Sequence, residues 1–254
     1  MKLTRLVPAV ADRTVAGAAE VNTAEIDTAE IDTAAPAARE RLRDLYAPPR
    51  RRWLRLNLIA GVDGGARGPD GTSTSLSNGA DRALLGAIRS LADVVLIGAE
   101  TLRAEGYLVP RAARLAVVTA SGRLVPAGAA EGAEPPGVLV LGPAAAEARA
   151  RATLSDAVVE YAALPGTGRV DAADVVRELR RRGADSIVCE GGPELAAQLL
   201  DAGLVDELCL STSPRSTGGE LPVLGGARPR ELRLAGLLAD ESGGFYARWL
   251  TEAR

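Results

Sequence analysis

The stretch from Ala184 to Leu210 constrains this chain most. Ser186–Cys189 is a short apolar run of strand length, and Glu190-Gly191-Gly192-Pro193 follows it. Neither glycine carries a Cβ, so the backbone there can turn sharply and come close to a ligand. Pro193 suits the first turn of a helix, where no N–H is needed. Leu195, Leu199 and Leu200 give that helix an apolar stripe, Gly203 ends it, and Leu204–Leu210 return as a second strand. A strand, a glycine turn and a helix N-terminus together make an anion site, because free N–H groups and the positive end of the helix dipole point outward. A diphosphate fits such a site, although a Gly-Gly turn before a helix also serves purely structural ends. Glu190 would repel a phosphate if it pointed the same way as the glycines. It is therefore expected to face a second ligand, one that is cationic or rich in N–H donors.

The rest of the chain repeats the alternation. Strands are expected at Trp53–Val62, Asp93–Ile97, Leu115–Thr119, Val138–Leu141 and Val158–Ala162. Asn78 or Ser77 can cap a helix with Leu84, Leu85, Ile88 and Leu91 inward. An Ala-rich helix follows Gly142-Pro143, and Asp171 caps another with Val175, Val176 and Leu179 inward. Leu232–Leu238 and Phe245–Leu250 read as a closing antiparallel pair. The implied class is α/β, a mostly parallel sheet with helices on both faces. Ligands in such sheets bind beyond the C-terminal strand ends. Here those ends carry Asp63, Gly98–Thr101, Thr119-Ala120-Ser121 and Glu190-Gly191-Gly192.

Residues 1–36 are a poor candidate for core. Thr23–Ala34 is a near-repeat of five-residue period that matches neither helix nor strand, so 1–36 is expected to be a low-complexity, mobile segment and 37–254 a single domain. Leu42, Leu45 and Tyr46 share one face of a short helix after Pro36. With 254 residues, 47% of them hydrophobic, the chain can bury a sizeable core.

Composition excludes several chemistries. There is no histidine, which removes Ser/His triads, zinc–histidine sites and histidine acid/base work. A net charge of −3 points to neither nucleic acid nor an anionic membrane surface. Cys189 and Cys209 lie in apolar strands and read as small core residues of a reducing compartment. No apolar run approaches the ~18 residues of a transmembrane helix, and the expected location is the cytoplasm.

Three segments carry a family resemblance. Asn57-Leu-Ile-Ala-Gly-Val-Asp63-Gly64, then Arg89 through Asp93-Val-Val-Leu-Ile-Gly98-Ala-Glu-Thr101, then Cys189-Glu-Gly-Gly-Pro193 through Asp206-Glu207-Leu208 resemble the pyrimidine reductase family of riboflavin biosynthesis. That family is the reductase domain of the bacterial deaminase-reductase and its stand-alone relatives. The resemblance implies a dihydrofolate-reductase-like three-layer sandwich, a homodimer, NADPH as cofactor, and reduction of a phosphorylated ribosylaminopyrimidine.

Carried over by position, Gly191, Gly192, Pro193, Glu194 and Leu195 would hold the cofactor diphosphate. Gly98, Ala99, Thr101, Glu105, Thr119 and Ser75 would line the rest of the cofactor. Asp63 and Glu190 would face the substrate as the catalytic carboxylates, and Ser73, Arg89 and Arg111 would bind its phosphate-bearing part. Each has a plainer alternative: Asp63-Gly64 as a turn, Arg89 as a solvated helix end, Thr101 as a cap, Glu190 as a surface carboxylate. Three departures fall on the substrate half, with Asn57 where the family has lysine, Gly61 where it has serine, and Ser75 where it has tryptophan. The cofactor half is therefore expected to be the better preserved. A dihydrofolate or pterin reductase and a non-catalytic NADPH-binding protein stay open as alternatives.

Overall fold

The chain builds its sheet in two directions from one central strand. A computed structural model describes residues 1–7, 30–105, 113–124, 137–153, 159–219 and 221–251. In chain order the strands are β1 (Lys2–Val7), β2 (Glu30–Asp32), β3 (Trp53–Gly61), β4 (Val94–Gly98), β5 (Arg114–Val118), β6 (Val138–Pro143), β7 (Val159–Leu164), β8 (Ser186–Cys189), β9 (Glu207–Ser213), β10 (Leu232–Asp240) and β11 (Phe245–Thr251). The helices are α1 (Ala38–Tyr46), α2 (Gly79–Arg89), α3 (Ala99–Glu105), α4 (Glu147–Thr153), α5 (Ala172–Arg181) and α6 (Pro193–Asp201). Among the described residues the strands form one sheet in the order β2-β1-β10-β11-β9-β3-β8-β4-β5-β6-β7. The run from β9 to β7 is parallel, and β11, β10, β1 and β2 add antiparallel strands at one edge.

Alternation along the strands divides the core in two. Leu54, Leu56, Leu58 and Ala60 of β3 face the layer that holds α5 and α6. Val95, Ile97, Leu115 and Val117 face the other layer, with α1, α2 and α3. The caps form as the sequence implies: the Asn78 side chain accepts the Asp81 amide at 2.9 Å and Asp171 accepts that of Ala173 at 2.7 Å. The expected sandwich, with its mostly parallel sheet and C-terminal antiparallel pair, is the architecture found.

Two expectations need correcting. The sequence reads Leu204 and Val205 as strand, yet β9 starts at Glu207. The Leu204 amide bonds the Leu199 carbonyl at 3.1 Å to finish the helix end, and Val205 is buried, so both belong to the turn. Within 1–36, Lys2–Val7 and Glu30–Asp32 are strands, contrary to the reading of that segment as lying outside the core. β1 pairs with β10 and β2 with β1, and Leu3 and Ile31 are buried against α1. The five-residue repeat hides this because a three-residue edge strand needs one inward side chain, here Ile31, and takes its hydrogen bonds from a distant partner. Residues 8–29 lie outside the described residues.

One buried ionic group interrupts the apolar core beneath α1. The Glu207 carboxylate accepts from Trp53 Nε1 at 3.0 Å, Arg55 Nε at 2.7 Å and Arg248 Nε at 2.6 Å. Arg55 also donates to the Tyr46 carbonyl at 2.7 Å. Burial opposes ionisation of Glu207, but the two guanidiniums hold its carboxyl below the usual range.

Candidate functional site

The chain order reverses around β3, β8 and β4. β4 to β7 proceed outward with α3 and α4 on one face, then α5 and α6 carry the chain back on the other face to β8 and β9. Beyond the C-terminal ends of such strands an α/β sheet opens a crevice. A cleft of about 730 Å³ reaches from there back along the sheet face. Its floor is Asn57, Ile59, Val95 and Ile97 of the sheet, one wall is α2 with Asp81, Arg82, Leu85, Gly86 and Arg89, and the other is Thr101, Ala104 and Glu105 of α3 together with 190–193. Leu221 and Val223 close it from the side.

Gly191, Gly192 and Pro193 line the cleft. The Gly98 amide donates to the Gly191 carbonyl at 2.8 Å, which fixes the turn to the neighbouring strand end. A Cβ on Gly192 would stand 3.0 Å from Thr101 Oγ1, so the two walls meet closely at this point. α6 has no side-chain cap, and its first backbone bond runs from the Ala196 amide to the Gly192 carbonyl. Among the described residues nothing accepts from the amides of Glu194 and Leu195. Their side chains go elsewhere: Glu194 is exposed and accepts from Gln198, while Leu195 is buried in the core of the opposite face. These two positions can offer a ligand only backbone.

Glu190 and Arg89 both line the cleft, and the fold joins them. Arg89 Nε and Nη2 donate to the two carboxylate oxygens of Glu190 at 2.6 and 2.5 Å, with side chains 18% and 11% exposed. This fork pairing is the geometry in which guanidinium and carboxylate bind most strongly. Glu190 thus meets an N–H-rich cation that belongs to the protein, where the expectation was a ligand. Two of the N–H groups of Arg89 are taken up by Glu190.

Asp63 is placed differently from the expectation that it faces the substrate. It is not among the cleft residues. Its Oδ2 accepts from Ser216 Oγ at 2.9 Å and from the Thr217 and Gly218 amides at 2.7 Å each, and its Oδ1 accepts from Thr217 Oγ1 at 3.0 Å. Desolvation works against ionisation, but these donors together hold the carboxyl far below the ordinary carboxylate range.

Several other expected contacts serve loops. Ser73 and Glu105 line the cleft and bind each other, the Ser73 amide donating to Glu105 Oε1 at 2.7 Å. Ser75 Oγ donates to Asp70 at 2.6 Å and lies outside the cleft lining. Thr119 is buried, and its Oγ1 accepts the Gly122 amide at 3.0 Å to close the turn after β5. Gly98 and Ala99 are not among the residues that line the cleft. Arg111 lies outside the described residues.

Asp81 is the residue that sequence reasoning missed. It is 8% exposed, lines the cleft, and accepts from Ser77 Oγ at 2.7 Å. Among the described residues no arginine or lysine pairs with it. In sequence it reads as an ordinary acidic residue in a first helical turn. The usable signal was its spacing: Asp81, Leu85 and Arg89 recur every four residues and so form one stripe.

The RibD C-terminal domain model matches residues 52–244. The chain belongs to the RibD C-terminal domain family. Among curated proteins none matches the sequence. A pyrimidine reductase-like protein of Corynebacterium diphtheriae superposes with a TM-score of 0.70 at 24% identity, over 85% of this chain and 99% of that one. A deaminase/reductase of Thermotoga maritima gives 0.64 at 19%, over 80% of this chain and 57% of its own. The riboflavin biosynthesis reductase Rib7 of Saccharomyces cerevisiae gives 0.60 at 14%, over 79% and 90%. At these identities the likeness is one of fold. Among the described residues no helix is long and apolar enough to cross a membrane, and no cluster of His, Cys, Asp and Glu is placed to hold a metal.

Proposed function

We propose that this member of the RibD C-terminal domain family is an NADPH-dependent oxidoreductase that passes a hydride to a nitrogen heterocycle of the aminopyrimidine kind. One observation carries the reading. The cleft sets bare backbone at Gly191 and Gly192, with two open amides behind it, against a buried carboxylate, Asp81, that has no cationic partner among the described residues. One wall suits a diphosphate and the other suits N–H donors, as a two-ligand site requires.

The residues fit a dinucleotide. A Cβ on Gly192 would press on Thr101 Oγ1 at 3.0 Å, and without one the backbone can approach a phosphate there. Gly191, Gly192, the start of α6 and Thr101 would hold the cofactor, whose nicotinamide supplies hydride chemistry when bound. Asp81 accepts hydrogen bonds from ring N–H or amino groups and so orients the ring on Asn57 and Ile59. Glu190, held by Arg89, sets the field at the boundary between the two ligands. Arg82, and Arg67 beside the exposed Glu100 that it pairs with at 3.4 Å, are the cations at the cleft for a phosphorylated tail. The chain acts as a homodimer through the face of β10 and β11 turned away from α1, where Leu237 and Ala247 are half-buried and Phe245 is exposed. Apolar residues on both faces of a strand call for cover on both.

The test is oxidation of NADPH with a phosphoribosylaminopyrimidine and with dihydrofolate as separate substrates. Turnover of the former that falls at least 100-fold in Asp81→Asn is expected. Preference for dihydrofolate would move the reading to a pterin reductase. Tight NADPH binding without turnover of either would overturn it in favour of a binding protein.

A further inference from the structure

The turn after β3 reads as catalytic in sequence but is built as a clasp. Residues 214–219 and 221–227 follow β9 as a strap, and Leu221 and Val223 of it line the cleft. The turn 61–66 grips both stretches. On the first, the Val62 amide donates to the Arg215 carbonyl at 2.9 Å, and the Asp63 carboxylate accepts from Ser216, Thr217 and Gly218. On the second, the Ala66 amide donates to the Leu221 carbonyl at 2.8 Å and the Val223 amide to the Gly64 carbonyl at 2.9 Å. The far end seats on α6: a Cβ on Gly225 would stand 2.6 Å from the Pro193 carbonyl.

The turn glycines are shaped to this contact. A Cβ on Gly65 would fall 1.8 Å from Thr217 Oγ1, and one on Gly61 would fall 2.5 Å from the Arg215 carbonyl oxygen. Both are far inside contact distance, so neither position accepts a side chain while the strap is seated. Asp63 supplies the remaining demand. Ser216, Thr217 and Gly218 point donors inward at one place, and only an ionised carboxylate offers enough lone pairs to accept them all.

We propose that Asp63 is a positioning residue that locks the 214–219 strap onto the Gly61–Ala66 turn and thereby sets Leu221 and Val223 against the substrate. The proposal rests on the reductase reading for its kinetic consequence but not for its structural one. An amide in place of the carboxylate presents a donor to a cluster of donors, so Asp63→Asn unlatches the strap. Gly65→Ala does the same by collision and leaves the carboxylate intact.

The experiment is hydrogen exchange of the Thr217 and Gly218 amides, read beside steady-state kinetics with NADPH and the phosphoribosylaminopyrimidine. In both variants exchange at 217 and 218 accelerates at least tenfold, while amides of β3 and β8 keep their protection. Substrate KM rises at least tenfold, kcat stays within about threefold, and NADPH affinity is unchanged. Thr217→Ser, which keeps the hydroxyl, stays close to wild type in every readout. Unchanged exchange in Asp63→Asn overturns the proposal. A hundredfold loss of turnover with KM unchanged also overturns it, because Asp63 would then act in the chemistry. If the wild type turns over neither substrate, the functional reading fails and exchange alone decides the clasp.

Discussion

Replacing Gly192 tests the cofactor wall most directly. Its backbone, at φ −69° and ψ −178°, is open to any residue, so a side chain there meets a limit of space alone. The first carbon would stand 3.0 Å from Thr101 Oγ1, a few tenths of an ångström closer than a comfortable contact. Gly192→Ala asks Thr101 to rotate or the turn to shift slightly. Gly192→Val adds two further carbons and fills the space that backbone needs to reach a phosphate. Losing one charge-assisted hydrogen bond to the diphosphate costs roughly 1.5–3 kcal/mol. At about 1.4 kcal/mol per tenfold, the expected weakening is on the order of 10- to 150-fold in Kd. Titration calorimetry with NADPH on wild type, Gly192→Ala, Gly192→Val, Thr101→Ala and Gly192→Ala/Thr101→Ala measures it. The double variant should recover part of the loss, because the colliding oxygen is gone and the two sites are in contact. A folded Gly192→Val protein that binds NADPH within threefold of wild type would refute the assignment of this wall.

Three further outcomes follow from the same geometry. Glu190→Gln removes the charge that holds Arg89; turnover should fall by roughly 100-fold while NADPH affinity stays level or tightens, and calorimetry beside kinetics separates the two. Deleting residues 1–35 removes the buried Leu3 and Ile31 and uncovers β10; at roughly 1.5–3 kcal/mol per buried aliphatic side chain, stability should drop by roughly 3–6 kcal/mol, seen as a lower urea midpoint. Asp240 is desolvated, yet hydrogen bonds from Ser242, Tyr246, Asn78 and Gly244 hold its carboxyl below the ordinary range. A depressed carboxyl stabilises the fold above its unfolded pKa, about 4, and that stability goes as pH falls toward the folded value. Asp240→Asn should therefore lower the denaturation midpoint at pH 7 and flatten its decline below about pH 4; an unchanged decline would assign acid lability to other carboxylates.

The local patterns of the sequence determined the α/β class, the strand ends and the glycine turn at 191–192. Each depends on neighbours a few residues apart: strand alternation, the Asn78 and Asp171 caps, Pro193 at a helix start, Gly203 at its end. The same logic located the cleft, because a parallel sheet leaves its C-terminal ends open. Side-chain direction at those ends was decided only by tertiary structure. Asp63 and Glu190 look alike in sequence, each an acid next to glycine after a strand. One meets the strap at 216–218 and the other meets Arg89, partners that lie far along the chain. Asp81 becomes a cleft residue only once α2 lies along β3 and β4. Leu3 and Ile31 join the core only because β10 offers an unpaired edge. A carboxylate's role follows from which donors reach it and how much water is excluded, and both are properties of the packed molecule.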